Sequence, residues 1–354
     1  MITEKYSIIK EKLNPKWYGK MEQEYKNMIN SSFYHKTSIE TWNGRNDGTD
    51  PAVQRWHQRI ILIDLEEDNL VLPPASQKGI ALIGFSCDEG VRRNGGRVGA
   101  KDGPAHFRKA CCNLPIHLTE DAVFLDLGDI ICTGQDMEEA QSSLAKVVAF
   151  ALANGFQPLV IGGGHEVAYG HYSGINQHVK TEESIGIINF DAHFDLREPN
   201  ENGTNSGTGF LQIANDCKSS GKPFRYMPVG IQQNSNTKYL FDTAAALKVS
   251  YVPAEQFLVS REAEIRSQID EFIAGSTHIY LTICMDVFSS SFAPGVSAAA
   301  FSGLIPDAFF FACLRSVIAS GKVISMDIAE CNPVFDQDQR TAKLAAALAF
   351  SMIT

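Results

Sequence analysis

The residues best placed to do chemistry form Asp191-x-His193-x-Asp195, where the apolar run Ile187-Ile188-Asn189-Phe190 ends. In extended backbone, side chains at i, i+2 and i+4 share a face, so two carboxylates and an imidazole converge on one point. That donor set suits a borderline or hard divalent ion such as Mn, Fe or Zn. Other apolar runs end in the same way. Pro158–Ile161 leads into Gly162-Gly163-Gly164-His165-Glu166, Ile279–Ile283 into Cys284-Met285-Asp286, and Val323–Ile328 into Ala329-Glu330. A single histidine is more often a core residue bonded to backbone, and a single glutamate a solvated strand end. Four such ends in one chain are harder to dismiss. His35, His106, His117, His171 and His178 lack this context and read as surface or core residues.

Something must bring those four ends together. From residue 78 short apolar runs alternate with helical stretches. The expected strands are Gly79–Phe85, Val123–Leu127, Pro158–Ile161, Ile185–Phe190, Tyr226–Val229, Val249–Val252, His278–Ile283 and Val323–Ile328. Helical spacing fills Met137–Ala153, Thr237–Leu247, Arg261–Ala274 and Asp307–Ala319, and Asp336–Ile353 reads as a closing helix. Such alternation with doubly buried strands means an α/β fold on a parallel sheet, either open or closed into an eight-stranded barrel. In both, ligands collect at the carboxyl ends of the strands. Residues 1–77 are less regular: Lys10–Asn30 is polar and helix-competent, Trp42–Gly48 is turn-rich, and Ile60–Ile63 is strand-like. They read as an N-terminal cap segment packed on one main domain, 78–354.

With 44% hydrophobic and 20% charged residues, the 354-residue chain can bury a full core. A net charge of -10 without a basic, aromatic-laced cluster speaks against nucleic acid and anionic membranes as partners, and for a small-molecule substrate. The start Met1-Ile2-Thr3-Glu4-Lys5 does not open an apolar signal, and no apolar run is long enough to span a bilayer. The eight cysteines are scattered, with no Cys-x-x-Cys pair, which fits reduced thiols and a cytoplasmic location.

Gly-Gly-Gly-His165-Glu, Asp191-Ala-His193-Phe-Asp195, the Thr282–Asp286 strand end and Phe292-Ala-Pro-Gly-Val-Ser297 resemble the signature blocks of the ureohydrolase (arginase and agmatinase) superfamily. The resemblance runs from about residue 78 to the C-terminus. The block Cys87–Arg97 with Gly103-Pro104, together with Trp42-x-Gly-Arg-x-Asp-Gly48 and Arg55-Trp-His-Gln58, is similar to the formimidoylglutamase branch. Membership implies a three-layer αβα domain with an eight-stranded, mostly parallel, arginase-like sheet. It implies two divalent metal ions, Mn above all. His165, Asp191 and Asp195 would hold one ion, and Asp191, His193 and Asp286 the other. It further implies hydrolysis of N-formimidoyl-L-glutamate to L-glutamate and formamide, as in histidine degradation. Asp195 would move the proton and Glu330 would pair with the substrate's cationic nitrogen. Family members are commonly homo-oligomers.

The departures are as informative. Asn205–Phe210 holds Ser206 but no histidine where arginases carry a proton-relay histidine. Arg197 stands where arginases have asparagine, and with Arg92 and Asn94 it could meet a substrate bearing two carboxylates. Cys284 replaces the usual bridging aspartate. A thiolate can bridge metals but prefers Zn, Fe or Co to Mn. The chain could therefore be a two-metal hydrolase of altered metal preference, hold one ion firmly and one loosely, or be a metal-poor, non-catalytic binding relative. Another ureohydrolase, acting on agmatine or a guanidino acid, is the remaining alternative.

Overall fold

The computed structural model describes residues 29–67, 70, 72–75, 79–119 and 122–354. Among them are ten strands: β1 (Tyr34–His35), β2 (Ile61–Leu62), β3 (Gly79–Ser86), β4 (Val123–Ile131), β5 (Gln157–Ile161), β6 (Ile185–Phe190), β7 (Arg225–Ile231), β8 (Val252–Pro253), β9 (His278–Cys284) and β10 (Val323–Ala329). They form one open sheet in the order β1-β4-β3-β5-β10-β9-β6-β7-β8, with β2 also on β4. All pairings are parallel except β1 with β4. The expected count of eight is therefore corrected to ten. The two additional strands come from the N-terminal segment and lie end to end along the outer edge of β4, opposite Leu125–Asp126 and Asp129–Ile130. β2 lies within the strand-like Ile60–Ile63, whereas the two residues of β1 are too short to carry a periodic signal, and together the two strands cover an edge that would otherwise present unpaired backbone. The Lys10–Asn30 helix falls, up to residue 28, outside the described residues.

Each central strand divides its side chains between two cores, as a period of two requires. Ile188, Phe190, Leu281, Ile283, Met326 and Ile328 join one cluster, and Ile187, Tyr280 and Val160 the other. Helices Gly103–Cys111, Glu262–Ala274, Ala308–Ala319 and Arg340–Ile353 cover the first face, and Met137–Ala153, Val167–His178, Gly209–Ser219 and Lys238–Ala246 the second. The result is a three-layer αβα sandwich. All six residues of β6 are buried, and at about 1.5–3 kcal/mol for each large apolar side chain this strand is a rigid base for the Asp-x-His-x-Asp stretch beyond it.

Local chemistry sets the helix limits. Asp136 caps Met137–Ala153 by accepting from Glu139 N at 3.0 Å. The closing helix starts at Arg340 rather than at Asp336, because the Asp336 carboxylate accepts from the backbone of Gln337, Thr341 and Ala342 and so caps a turn instead of joining the helix. Helix Val167–His178 crosses Met137–Ala153 closely: a Cβ at Gly174 would stand 2.5 Å from Ala145 O. That close packing fixes the helix that begins just after His165.

The strand order explains how remote segments meet. β3, β4 and β5 fill one half of the sheet, and β6, β7 and β8 the other. β9 and β10 return to fill the gap between β5 and β6. The four ends singled out in the sequence therefore belong to the adjacent strands β5, β10, β9 and β6, at the switch point where α/β sheets hold ligands.

Candidate metal centre

At those ends His165, Asp191, His193, Asp195, Cys284 and Asp286 come together, and all but His193 are buried. His165 Nδ1 lies 2.9 Å from Asp191 Oδ2 and 3.0 Å from Asp195 Oδ2. His193 Nδ1 lies 3.2 Å from Asp286 Oδ2 and 3.5 Å from Asp191 Oδ1. Two sets of donor atoms cluster within 4.8 Å: His165, Asp191 and Cys284, and Asp191, His193 and Asp286. Asp191 belongs to both, one oxygen turned to each histidine. The second set is the one read from the sequence. In the first, Cys284 closes the group, while Asp195 adjoins it through its contact with His165.

Backbone geometry supports this convergence. Gly163 passes so close to the backbone just beyond β3 that a Cβ there would overlap Cys87 O at 1.6 Å, so only glycine fits. Gly164 N donates to Cys87 O at 2.9 Å, and Gly163 O accepts from Glu330 N at 2.8 Å. The glycine loop is thus tied to its neighbours just before His165. Asp195 (φ 49°) and Glu330 (φ 67°) are in the left-handed region, a conformation that costs a non-glycine residue on the order of 1–3 kcal/mol and gathers at functional positions.

The electrostatics show an excess of negative charge. Burial pushes Asp191 up, but His165 and His193 beside it hold its carboxyl well below the usual range. Burial, then the Asp191 charge, pushes Asp195 up. Burial works against protonating both histidines, yet the surrounding carboxylates hold each imidazole well above its ordinary value. Burial and then Asp286 push Glu330 up to about 7, and burial and then Glu330 push Glu166 up to about 8. The Cys284 thiol is pushed far up by burial and then by Asp191, Asp286 and Glu330. His165 Nδ1 and Asp286 Oδ1 are buried without a hydrogen-bond partner, the close contacts of His165 being poorly aligned for one. Unsatisfied buried donors and acceptors are costly. A divalent cation in each set would satisfy both atoms and offset the charge, so the residues present fit two such ions.

The match to the arginase family model spans residues 78–354. The chain belongs to the arginase family. It is 43% identical to a formimidoylglutamase of Clostridium tetani over 324 residues, 90% of this chain and 95% of that one. It is also 43% identical to a formimidoylglutamase of Aeromonas salmonicida over 311 residues, 88% and 96% of the two chains. The crystal structure of Trypanosoma cruzi formiminoglutamase with Mn2+ superimposes with a TM-score of 0.69 at 28% identity, covering 78% of this chain and 93% of that one. Bacillus subtilis formimidoylglutamase, at 22% identity and a TM-score of 0.73, shares the fold, with 88% and 94% covered. As a member of this family the chain is a hydrolase acting on C–N bonds of amidine-like groups.

Around the cluster, Glu330 Oε1 accepts from His165 N at 3.1 Å and Oε2 from Ser297 N at 3.3 Å, so its carboxylate bridges two loops beside the donors. Asn94 Nδ2 donates to Ser206 Oγ at 3.1 Å. One guanidinium edge of Arg92, Nε and Nη2, donates to the two carboxylate oxygens of Glu89 at 2.7 and 2.6 Å. Arg197 is exposed, its stem against Gly207, and its guanidinium has no ion pair among the described residues. Four supporting residues were not singled out from the sequence: Glu166, Asn189, Tyr226 and Thr282. Asn189 Nδ2 donates to Asp191 Oδ2 at 3.0 Å, and Thr282 Oγ1 lies 3.0 Å from His165 Nε2. The alternation that places Asp191 and Cys284 places Asn189 and Thr282 two residues earlier on the same faces, which was the available signal.

Proposed function

We propose that the protein hydrolyses N-formimidoyl-L-glutamate to L-glutamate and formamide at a two-metal centre. The observation that carries this reading is the pair of donor sets sharing Asp191, with Glu330 fixed beside them. The names of its relatives support the substrate. His165, Asp191, Asp195 and Cys284 would hold one ion and Asp191, His193 and Asp286 the other, with Mn suggested by the Trypanosoma cruzi structure. When bound, such ions supply Lewis acidity and activate water near neutral pH.

The chain's own residues do the rest. Glu330 receives the cationic formimino nitrogen in a charge-assisted pair and orients the carbon for attack. Water adds to that carbon and the bond to the glutamate nitrogen breaks. Asp195, beside His165, carries the proton from the water to the departing nitrogen. Arg197 offers a planar, unpaired fork to a substrate carboxylate, and the Asn94–Ser206 pair lines the same approach. Arg92, already engaged by Glu89, would set the position of Asn94 and reach substrate through its exposed side.

We further infer a cytoplasmic homo-oligomer capped by residues 1–77. Its eight cysteines are all free, and no helix among the described residues is long and apolar enough to cross a membrane. The deciding experiment offers formimidoylglutamate, arginine, agmatine and guanidinobutyrate under Mn, Zn, Fe and Co. The expected result is selective hydrolysis of formimidoylglutamate. Efficient hydrolysis of agmatine, which has no carboxylate, would remove the assignment.

A further inference from the structure

Behind His165 a polar ladder runs through the sheet. His165 Nε2 lies 3.0 Å from Thr282 Oγ1. Tyr280, two residues before Thr282 on the same face of β9, donates its phenol proton to Asp327 Oδ2. The same Asp327 oxygen lies 2.6 Å from His171 Nδ1, whose Nε2 is 2.5 Å from Ser325 Oγ. Tyr280 and Thr282 share one face of β9, and Ser325 and Asp327 the facing side of β10, in register Tyr280–Ser325 and Thr282–Asp327. His171 reaches them from helix Val167–His178, its ring 4.6 Å from that of Tyr280. All five residues are fully buried.

A polar network in this position is a poor way to stabilise a sheet, because well-packed apolar side chains of similar size would serve as well or better. Its direction suggests another role. An ionised carboxylate only accepts hydrogen bonds. Asp327 therefore requires Tyr280 to donate to it, which leaves the phenol oxygen able only to accept on the side of Thr282. The Thr282 oxygen is then left to accept from His165 Nε2–H. With the proton on Nε2, His165 presents a bare lone pair at Nδ1, the atom that faces Asp191 and Asp195. We infer that Thr282, Tyr280, Asp327 and His171 are positioning residues that fix the tautomer and ring orientation of His165 for cation binding. Outer partners of this kind govern ligand basicity and orientation.

The inference rests on the two-metal reading, and its test separates the two. Metal-stripped wild type, Tyr280→Phe, Thr282→Val and Thr282→Ser are titrated with Mn2+ by calorimetry, with the thermal midpoint of each metal-free protein measured alongside. Tyr280→Phe and Thr282→Val should weaken one of the two binding events by about 10–100-fold, and Thr282→Ser, which keeps the hydroxyl, should retain wild-type affinity. The Thr282 pair carries the test if Tyr280→Phe does not fold. Lower midpoints with unchanged Mn2+ affinity in Tyr280→Phe and Thr282→Val would overturn the inference alone. A wild type that takes up no Mn2+ would overturn the metal-centre reading and the ladder's role with it.

Discussion

Two of the buried carboxylate clusters among the described residues are built to opposite rules. Near the sheet edge Asp126, wholly buried, accepts both Nε and a terminal nitrogen of Arg108 at 2.8 and 2.9 Å, as well as Trp42 Nε1 at 2.8 Å and Thr37 Oγ1 at 3.0 Å. Arg108 also reaches Asp129 at 2.6 Å. There the chain supplies its own cation and the donors for both Asp126 oxygens. At the switch point Asp191, Asp195 and Asp286 meet imidazoles, a thiol and, at Asp191, the Asn189 amide, but no guanidinium or ammonium, and His165 Nδ1 and Asp286 Oδ1 have no hydrogen-bond partner. The first cluster is complete as folded, and the second has room for charge from outside. That difference separates a structural ion pair from a binding centre better than burial or residue type does.

The largest effect should come from the donor shared by both sets. Asp191→Asn removes charge from each and should abolish most metal uptake. The several kcal/mol of Lewis-acid assistance then lost correspond to a fall in kcat on the order of 10³. Metal analysis and steady-state rates check this, and full occupancy at full rate would remove Asp191 from the centre. Arg108→Met should act in the opposite compartment. It strands Asp126 and Asp129, lowering stability by about 3–5 kcal/mol, while the folded protein keeps its metal stoichiometry. Denaturant unfolding and metal analysis on one sample test both halves of the contrast.

Smaller effects sharpen the centre itself. Arg197→Ala should raise KM for formimidoylglutamate, the loss of a charged hydrogen bond being about 1.5–3 kcal/mol, with metal affinity unchanged. An unaltered KM would take Arg197 out of the site. Cys284→Asp should restore a hard oxygen donor and move metal preference from Zn or Co towards Mn, read as a reversal in competitive metal titration. If Cys284 is only an inert core thiol, the order of preference stays as it was.

The pH dependence of the metal-free protein follows from the buried acids. Burial, then Asp286, raises Glu330 from 4.5 to about 7, so the folded state retains a proton that the unfolded chain releases. The stability this contributes is fully present below the unfolded value and is lost as pH rises through about 7. Glu166, raised to about 8, acts in the same direction. The thermal midpoint of metal-free protein should fall as pH rises from about 5 to about 8, and Glu330→Gln should flatten the fall.

Much of this arrangement was legible in the sequence, for identifiable reasons. Doubly buried strands leave long apolar runs, so the central strands were found nearly to the residue, and each donor was marked by standing where a run stopped. Two strands differ: Val123–Leu127 extends to Ile131 in β4, past Gly128 and Asp129, which interrupt the apolar run, and Val249–Val252 shrinks to Val252–Pro253 in β8, because only Val252 turns fully into the core. β1 was hidden because two residues carry no period, whereas β2 lies within the strand-like Ile60–Ile63. The supporting shell was hidden for a different reason. Thr282, Tyr280, Asn189 and His171 look like ordinary strand and helix residues until the return of β9 and β10 between β5 and β6 sets them side by side. That return depends on tertiary pairing and has no local signature.

The most direct test of the central claim is a titration of metal-stripped protein with Mn2+ while formamide release from N-formimidoyl-L-glutamate is followed. Release should be negligible without metal, rise as ions are added, and level off at two ions per chain. Release that is independent of added metal, or that levels off with one ion bound, would contradict a centre built on two donor sets sharing Asp191.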